Sequence, residues 1–227
     1  MIPVSAPPRV AAHLRSADDS SARVLHRGPD AVYVEVAGRC VGVVGTRATA
    51  VPCALRTALA SLPDVVQASV RGGVLHLDDE PLVVGRLVDM RVPGLHRLSD
   101  TGPHISGAVG TSVNVELLLG LGDGLTPYGD DVLCGWLAVH RAAGVATPDI
   151  DEAVRSLWHR TTLLSATLLD CAMHGEVIPE FAAWLGALGS DAEPAATEVL
   201  SRVGHTSGRG LLEGARRALA GLDKVAA

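Results

Sequence analysis

The chain has 227 residues, 48% of them hydrophobic but only 3% aromatic, and a formal net charge of -6. That apolar share excludes a disordered chain and allows one domain or two small ones with cores of Ala, Val and Leu, among which Trp136, Trp158 and Trp184 become packing anchors. The 19 Lys and Arg residues form no basic cluster, which excludes the electrostatic footprint of a nucleic-acid binder.

The N-terminus, MIPVSAPPRVAAHLRS, lacks the continuous apolar core of a signal peptide, and no later stretch is long and apolar enough to span a membrane. A cytoplasmic protein with no membrane or nucleic-acid partner is expected. Cys40, Cys53, Cys134 and Cys171 lie far apart with no Cys-x-x-Cys spacing, so neither a zinc ribbon nor a disulfide framework is expected, only buried thiols.

From Ala31 the chain reads as strands. Val32, Val34 and Val36 alternate with Tyr33 and Glu35, and Cys40–Val44 follows across a tight turn, which predicts a hairpin. Leu55, Leu59 and Leu62 recur at spacings of four and three, so the spacing predicts a short helix over 51–62. Strand-like composition resumes over 65–70, 74–77 and 82–90, with Gly72-Gly73 and Asp78-Asp79 as turns. Residues 92–110, rich in Gly, Pro and His, read as the connection between halves.

Beyond it the pattern becomes helical: 109–119, 127–143, 148–174, 179–188, 194–203 and 208–222, several opened by a proline at the first helical position. The expected class is α+β, with a β-rich subdomain over 1–105 and a helical subdomain over 106–227.

Three segments of the helical half suggest a site. In GLGDGLTPYGDD, residues 120–131, Thr126 reads as N-cap and Pro127 as the first helical residue, so the amides of the first turn and of Gly122, Gly124 and Gly129 form a candidate anion nest. No Gly-Lys-Ser/Thr follows, so the loop is not a Walker A loop, and the dinucleotide fingerprint is also absent. Asp130 and Asp131 repel a phosphate unless a cation such as Mg²⁺ bridges them. Equally, one Asp favours the helix dipole while the other faces water. In GHTSG, residues 204–208, Thr206 or Ser207 caps the last helix, and His205 is a candidate acid or base. Alternatively, this is an ordinary capping loop with a surface histidine. Arg160, Thr161, Thr162 and Ser165, read as part of one long helix, could grip a carboxylate or phosphate; the same residues also fit a solvated arginine beside self-bonded threonines. His140 shares a face with Leu133, Trp136 and Leu137 and reads as a core histidine.

The motifs GLGDGLTPYGDD, RTTLLSATLL and GHTSG, in this order behind a β-rich half, resemble a bacterial family long described as a domain of unknown function. That family includes the AllH-type subunit of oxamate carbamoyltransferase. The resemblance implies a role in allantoin catabolism, where oxalurate and phosphate are exchanged for oxamate and carbamoyl phosphate, with partner subunits in a hetero-oligomer sharing the task. Asp123 and Tyr128 stand where the family commonly has proline and serine, which implies an altered pocket. On this basis Asp130, Asp131, Arg160 and His205 are candidate catalytic residues. Gly122, Gly124, Thr126, Gly129, Thr161, Thr162, Thr206 and Ser207 are candidates for substrate binding, and Asp130 and Asp131 for Mg²⁺. The expected function is carbamoyl or phosphoryl transfer to a small carboxylate. A non-catalytic assembly subunit and a Mg-dependent ligase or kinase acting on an amino acid are the alternatives.

Overall fold

The computed structural model describes residues 1–95 and 113–226, with side chains to Leu222. They divide into two compact units, Met1–Met90 and Arg91–Ala227. The boundary expected near 105, most of the 92–110 connection, the start of the 109–119 run, His96 and His104 lie outside the described residues.

The first unit is a closed barrel in the order β1-β5-β4-β3-β2-β6-β7-β8. The strands are β1 Ile2–Ala6, β2 Ser20–Arg27, β3 Ala31–Val36, β4 Arg39–Val44, β5 Ala54–Thr57, β6 Ala68–Arg71, β7 Val74–Leu77 and β8 Glu80–Leu87. Helix α1, Pro8–Ser16, follows β1 and buries Val10, Ala11 and Leu14. Alternation sets which side chains go inside: Val32, Val34 and Val36 of β3 are buried, as are Val70 of β6, Leu75 and Leu77 of β7 and Leu82 of β8. An eight-stranded barrel is narrow enough for such side chains to fill it, and these residues form one apolar cluster. The barrel closes through parallel pairing of β1 with β8, Val4 opposite Val84. The class is therefore α+β, with the β-rich half organised as a barrel.

The expected β3–β4 hairpin is present, turning at Ala37 and Gly38, with φ of 45° and 74°. Positive φ at both central residues fits the right-handed twist of the strands, and asparagine tolerates it better than alanine. Replacing the exposed Ala37 by Asn should stabilise the barrel by roughly 0.5 kcal/mol. An unchanged or lowered thermal midpoint would contradict this.

The helix expected over 51–62 does not form. Ala54–Thr57 is instead β5, paired antiparallel with β1 and parallel with β4, and these ladders close that side of the barrel. Only Leu55 and Leu62 are buried, whereas Leu59 is 39% exposed, so the three-and-four spacing never becomes one apolar face. Tertiary pairing overrides the local period here. The elements β1, α1 and β2 precede the region where strands were expected.

The second unit contains α2 Val115–Leu118, α3 Tyr128–Ala142, α4 Pro148–Ser156, α5 Leu163–Met173, α6 Pro179–Ala187, α7 Glu193–Ser201 and α8 Ser207–Ala226. Helix α3 is buried on nearly every side, and α8 and α5 pack against it. Arg141 of α3 ties the unit together: its guanidinium donates to the carbonyls of Met173 and Val145 and pairs with Asp151 at 2.6 Å. Trp136 and Trp184 are buried, and Trp184 Nε1 donates to Thr197 Oγ1 at 3.1 Å, linking α6 to α7. Trp158 is only half-buried. His140 is fully buried, its ring 3.7 Å from that of Trp136 and its Nδ1 donating to the Trp136 carbonyl. Burial lowers its pKa, as suits a neutral core histidine. All four cysteines are buried, and no disulfide joins them among the described residues. No described helix is long and apolar enough to cross a membrane.

The helix expected over 148–174 is interrupted. It ends at Ser156; a single 3-10 turn follows at Trp158–Arg160, Thr161 is extended, and α5 restarts at Leu163. Thr162 causes the restart, because its hydroxyl accepts the Ser165 N–H at 3.0 Å as an N-cap.

Candidate active site at the head of helix α3

The entry to α3 differs by one residue from the sequence expectation. Pro127 is the flanking residue, with φ -53° and ψ 142°, and Tyr128 opens the helix. Thr126 therefore makes no cap; its Oγ1 lies 2.9 Å from Ser207 Oγ instead. This contact joins the first and third motifs, 81 residues apart. Helix α8 starts at Ser207, and Thr206 flanks it, its carbonyl accepting the Gly210 N–H at 3.0 Å.

Asp130 joins the first motif to the second. Its Oδ1 accepts the Gly120 N–H at 2.7 Å, while Oδ2 accepts the hydroxyls of Ser165 at 2.6 Å and of Thr161. The side chain is fully buried, and three donors compensate its desolvation. Thr162 adds a fourth tie, donating to the Leu125 carbonyl at 2.6 Å. Asp130 is thus a clasp that holds the glycine loop and the break before α5 onto α3. Its replacement by Ala should leave those donors unpaired and destabilise the helical unit by roughly 2 kcal/mol, read by urea denaturation. A loss no larger than that of an exposed surface variant would refute the clasp.

Asp131 is 5% exposed and far less well served. Ser207 and Thr126 hydrogen-bond the carboxyl, but its Oδ2 is buried with no partner among the described residues. Burial pushes the carboxyl up to about 7, the hydroxyl of Ser207 opposes that shift, neighbouring Asp130 reinforces it, and Thr126 opposes it.

The glycine loop is turned by positive φ at Gly120, Gly122 and Gly124. Its exposed tip leaves the amides of Gly122 and Gly124 without an acceptor among the described residues. Gly129 is different: its N–H donates to the Leu121 carbonyl at 2.8 Å, and it lacks a Cβ because one would overlap the Leu118 carbonyl. Its role is packing and loop closure.

The cationic candidates lie at the rim of this cluster. Arg160 is exposed and its guanidinium donates to the Glu116 carbonyl at 2.9 Å, while its own carbonyl backs Gly120. His205 is exposed, and among the described residues only its carbonyl is engaged, by Arg209 at 3.0 Å. Among the described residues no hydrogen bond links Arg160 or His205 to either carboxylate. The centre is therefore made of two carboxyls and four hydroxyls, from Thr126, Thr161, Ser165 and Ser207, rather than being electropositive. No group of three or more His, Cys, Asp and Glu able to hold a metal occurs among the described residues. With three donors on Asp130, the Asp pair is a poor fit for a bridging Mg²⁺.

Tyr128 was expected to alter the pocket, but its neighbours Arg209, Glu213 and Arg217 were not legible as part of the site. The Tyr128 hydroxyl donates to Glu213, which raises the Tyr128 pKa, and the charges of Arg217 and Arg209 oppose that rise. The signal was the i, i+4, i+8 series Arg209, Glu213, Arg217 on α8. The barrel carries an open groove of about 450 Å³ along β2 and β6, and none of the expected site residues lines it.

No curated protein and no solved structure matches this chain. The family model of the oxamate carbamoyltransferase subunit AllH matches residues 118–219, the stretch from the end of α2 into α8 that carries all three motifs.

Proposed function

We propose that this chain is a subunit of a carbamoyl-transferring enzyme of the oxamate carbamoyltransferase type, and that its helical unit holds a small carboxylate or phosphate at the head of α3. The observation that carries the reading is the meeting of three distant segments there, through Thr126–Ser207, Asp130–Thr161, Asp130–Ser165 and Thr162–Leu125. They brace the glycine loop while the Gly122 and Gly124 amides at its tip stay available to an anion. Arg160 and His205 flank the mouth as charge-stabilising and proton-transferring groups. Asp130 positions the loop, and Asp131, buried beside it, carries an oxygen with no partner among the described residues. Partner subunits complete the enzyme, and a cytoplasmic location fits this chemistry.

Calorimetry of the full chain with carbamoyl phosphate, oxamate and inorganic phosphate tests the reading. Binding is expected, with a loss of about tenfold in Arg160→Ala, the scale of one charged contact. One observation favours the alternative of a non-catalytic assembly subunit: Gly129, Gly135, Gly210 and Gly214 all sit where a Cβ would strike a neighbouring backbone or side chain. No binding of any of these ligands, together with a stable complex with partner subunits, would decide for that alternative.

A further inference from the structure

The family match begins at residue 118 and leaves the barrel without an assigned role. The groove of about 450 Å³ along β2 and β6 belongs to the barrel, and its volume is in the range of small-molecule sites. It opens where two strands part. β2 pairs with β6 over Ser20–Ala22, and continuing that register would set Val24 opposite Val66. The ladder stops short because side chains take the polar groups of the segment before β6. Asp78 Oδ1 accepts the N–H groups of Val66 and Gln67 at 3.1 and 2.9 Å. Arg27 donates through Nε and Nη2 to the carbonyls of Val65 and Val66 at 2.7 and 2.8 Å. With those groups satisfied, no backbone demand pulls the segment onto β2, so the gap is a fixed feature of the barrel.

The lining of the gap sets what it can hold. Arg27 and Arg71 bring two positive charges against the one carboxylate of Asp19, whose Oδ1 already accepts the Gly72 N–H at 2.6 Å. Arg27 has no carboxylate partner among the described residues, and its two carbonyl contacts hold the guanidinium in one orientation with Nη1 left over. A pre-oriented guanidinium that no carboxylate neutralises is a receptor for an oxyanion. Along the same stretch lie half-buried Val24 and Val66, the latter 79% exposed, which an apolar group would cover. We propose that this groove binds a small organic anion with an apolar body, a carboxylate or a phosphate ester, through Arg27 Nη1 and the side chains of Val24 and Val66. Arg71, towards the other end of the groove, adds to the attraction at longer range. The inference concerns the barrel alone and does not rest on the functional reading of the helical unit.

Amide NMR of the isotope-labelled full chain tests it with benzoate, its close neutral analogue benzyl alcohol, and inorganic phosphate. Benzoate should shift the amides of Val24, Val66 and Gln67 and bind about tenfold more tightly than the alcohol, the scale of one charge-assisted contact. Phosphate has no apolar body and should leave those amides in place at the concentrations where benzoate moves them. Val66→Glu changes an exposed position, so the barrel should stay folded while benzoate, met by a like charge at the rim, binds about tenfold more weakly. Arg27→Gln should bring benzoate down to the level of the alcohol, and Arg160→Ala should leave its effect on the groove amides unchanged. Equal binding of acid and alcohol overturns the inference, as do groove amides that benzoate leaves unmoved or that phosphate moves equally. Undiminished benzoate binding in Val66→Glu overturns it as well. None of these results touches the proposed function, whose ligands are read at Gly122 and Gly124. If the Arg27→Gln barrel fails to fold, Val66→Glu and the comparison of acid with alcohol still decide.

Discussion

Replacing Gly214 by Ala is expected to destabilise the helical unit by roughly 3 kcal/mol, lowering its thermal midpoint by about 10 °C. Gly214 lies on α8 where that helix crosses α3, and a Cβ there would overlap the carbonyl oxygen of Val132 and lie 2.9 Å from the Trp136 amide nitrogen. One turn earlier, a Cβ at Gly210 would come within 2.7 Å of Asp131 Cβ and 3.0 Å of the Tyr128 carbonyl, and Gly135 of α3 meets the Leu211 carbonyl in the same way. Both partners are backbone in regular helices, so no side chain can rotate away and the helices themselves must separate. Separation would also draw Ser207 from Thr126 and Glu213 from Tyr128, contacts made by the same pair of helices. The internal control is Gly186 on α6, exposed and with open space around it, where Ala should stabilise by roughly 0.5 kcal/mol through helix propensity alone. Denaturant midpoints of the two variants must therefore move in opposite directions. A Gly214→Ala protein as stable as wild type would mean that α3 and α8 do not pack this closely.

What the sequence made legible follows from the range of the forces involved. Strand β3 announced itself because alternation is a property of six adjacent residues, and the start of α6 because Pro179 sits at its first turn. Closure of the barrel was not legible, since it depends on β1 meeting β8 about 80 residues away. Helix α5 is an intermediate case. The cap at Thr162 is written locally, yet Leu163, Leu164, Leu168 and Leu169 continue the helical pattern so well that they mask the break before them. The convergence of the three motifs followed from shared character, since each pairs hydroxyls or acids with a helix entrance. Their internal chemistry did not. A lone reading of Asp130-Asp131 treats the two as equivalent, whereas the fold gives one three donors and, among the described residues, leaves an oxygen of the other with none. Arg160 and His205 look as prominent in the sequence as Thr161 and Ser207, yet the fold sends the first two outward to backbone carbonyls and solvent and the latter two onto the carboxyls.

The inequality between the aspartates has a measurable consequence in the pH dependence of stability. The unfolded Asp131 carboxyl titrates near 3.8, and burial in the folded chain carries it up to about 7. Between those values the folded protein keeps a proton that the unfolded chain has released. Stability therefore falls as pH rises from about 4 to about 7 and is flat with respect to this group beyond that range. At about 1.4 kcal/mol per unit, the interval amounts to roughly 4 kcal/mol, an order-of-magnitude figure because relaxation or water entry would reduce it. Other carboxyls titrate in the same window, so the quantity to measure is a difference: urea unfolding of wild type and of Asp131→Asn at several pH values from 4 to 8. Asn cannot ionise, so the variant should lose ground to wild type at pH 4, where wild type holds its proton, and gain steadily on it towards pH 8. A gain that grows with pH assigns the buried negative charge to Asp131, because a variant that merely disturbed packing would shift every point by the same amount. Parallel curves would show that Asp131 is ionised at little cost, and would require that donors beyond Thr126 and Ser207 reach Oδ2 in solution.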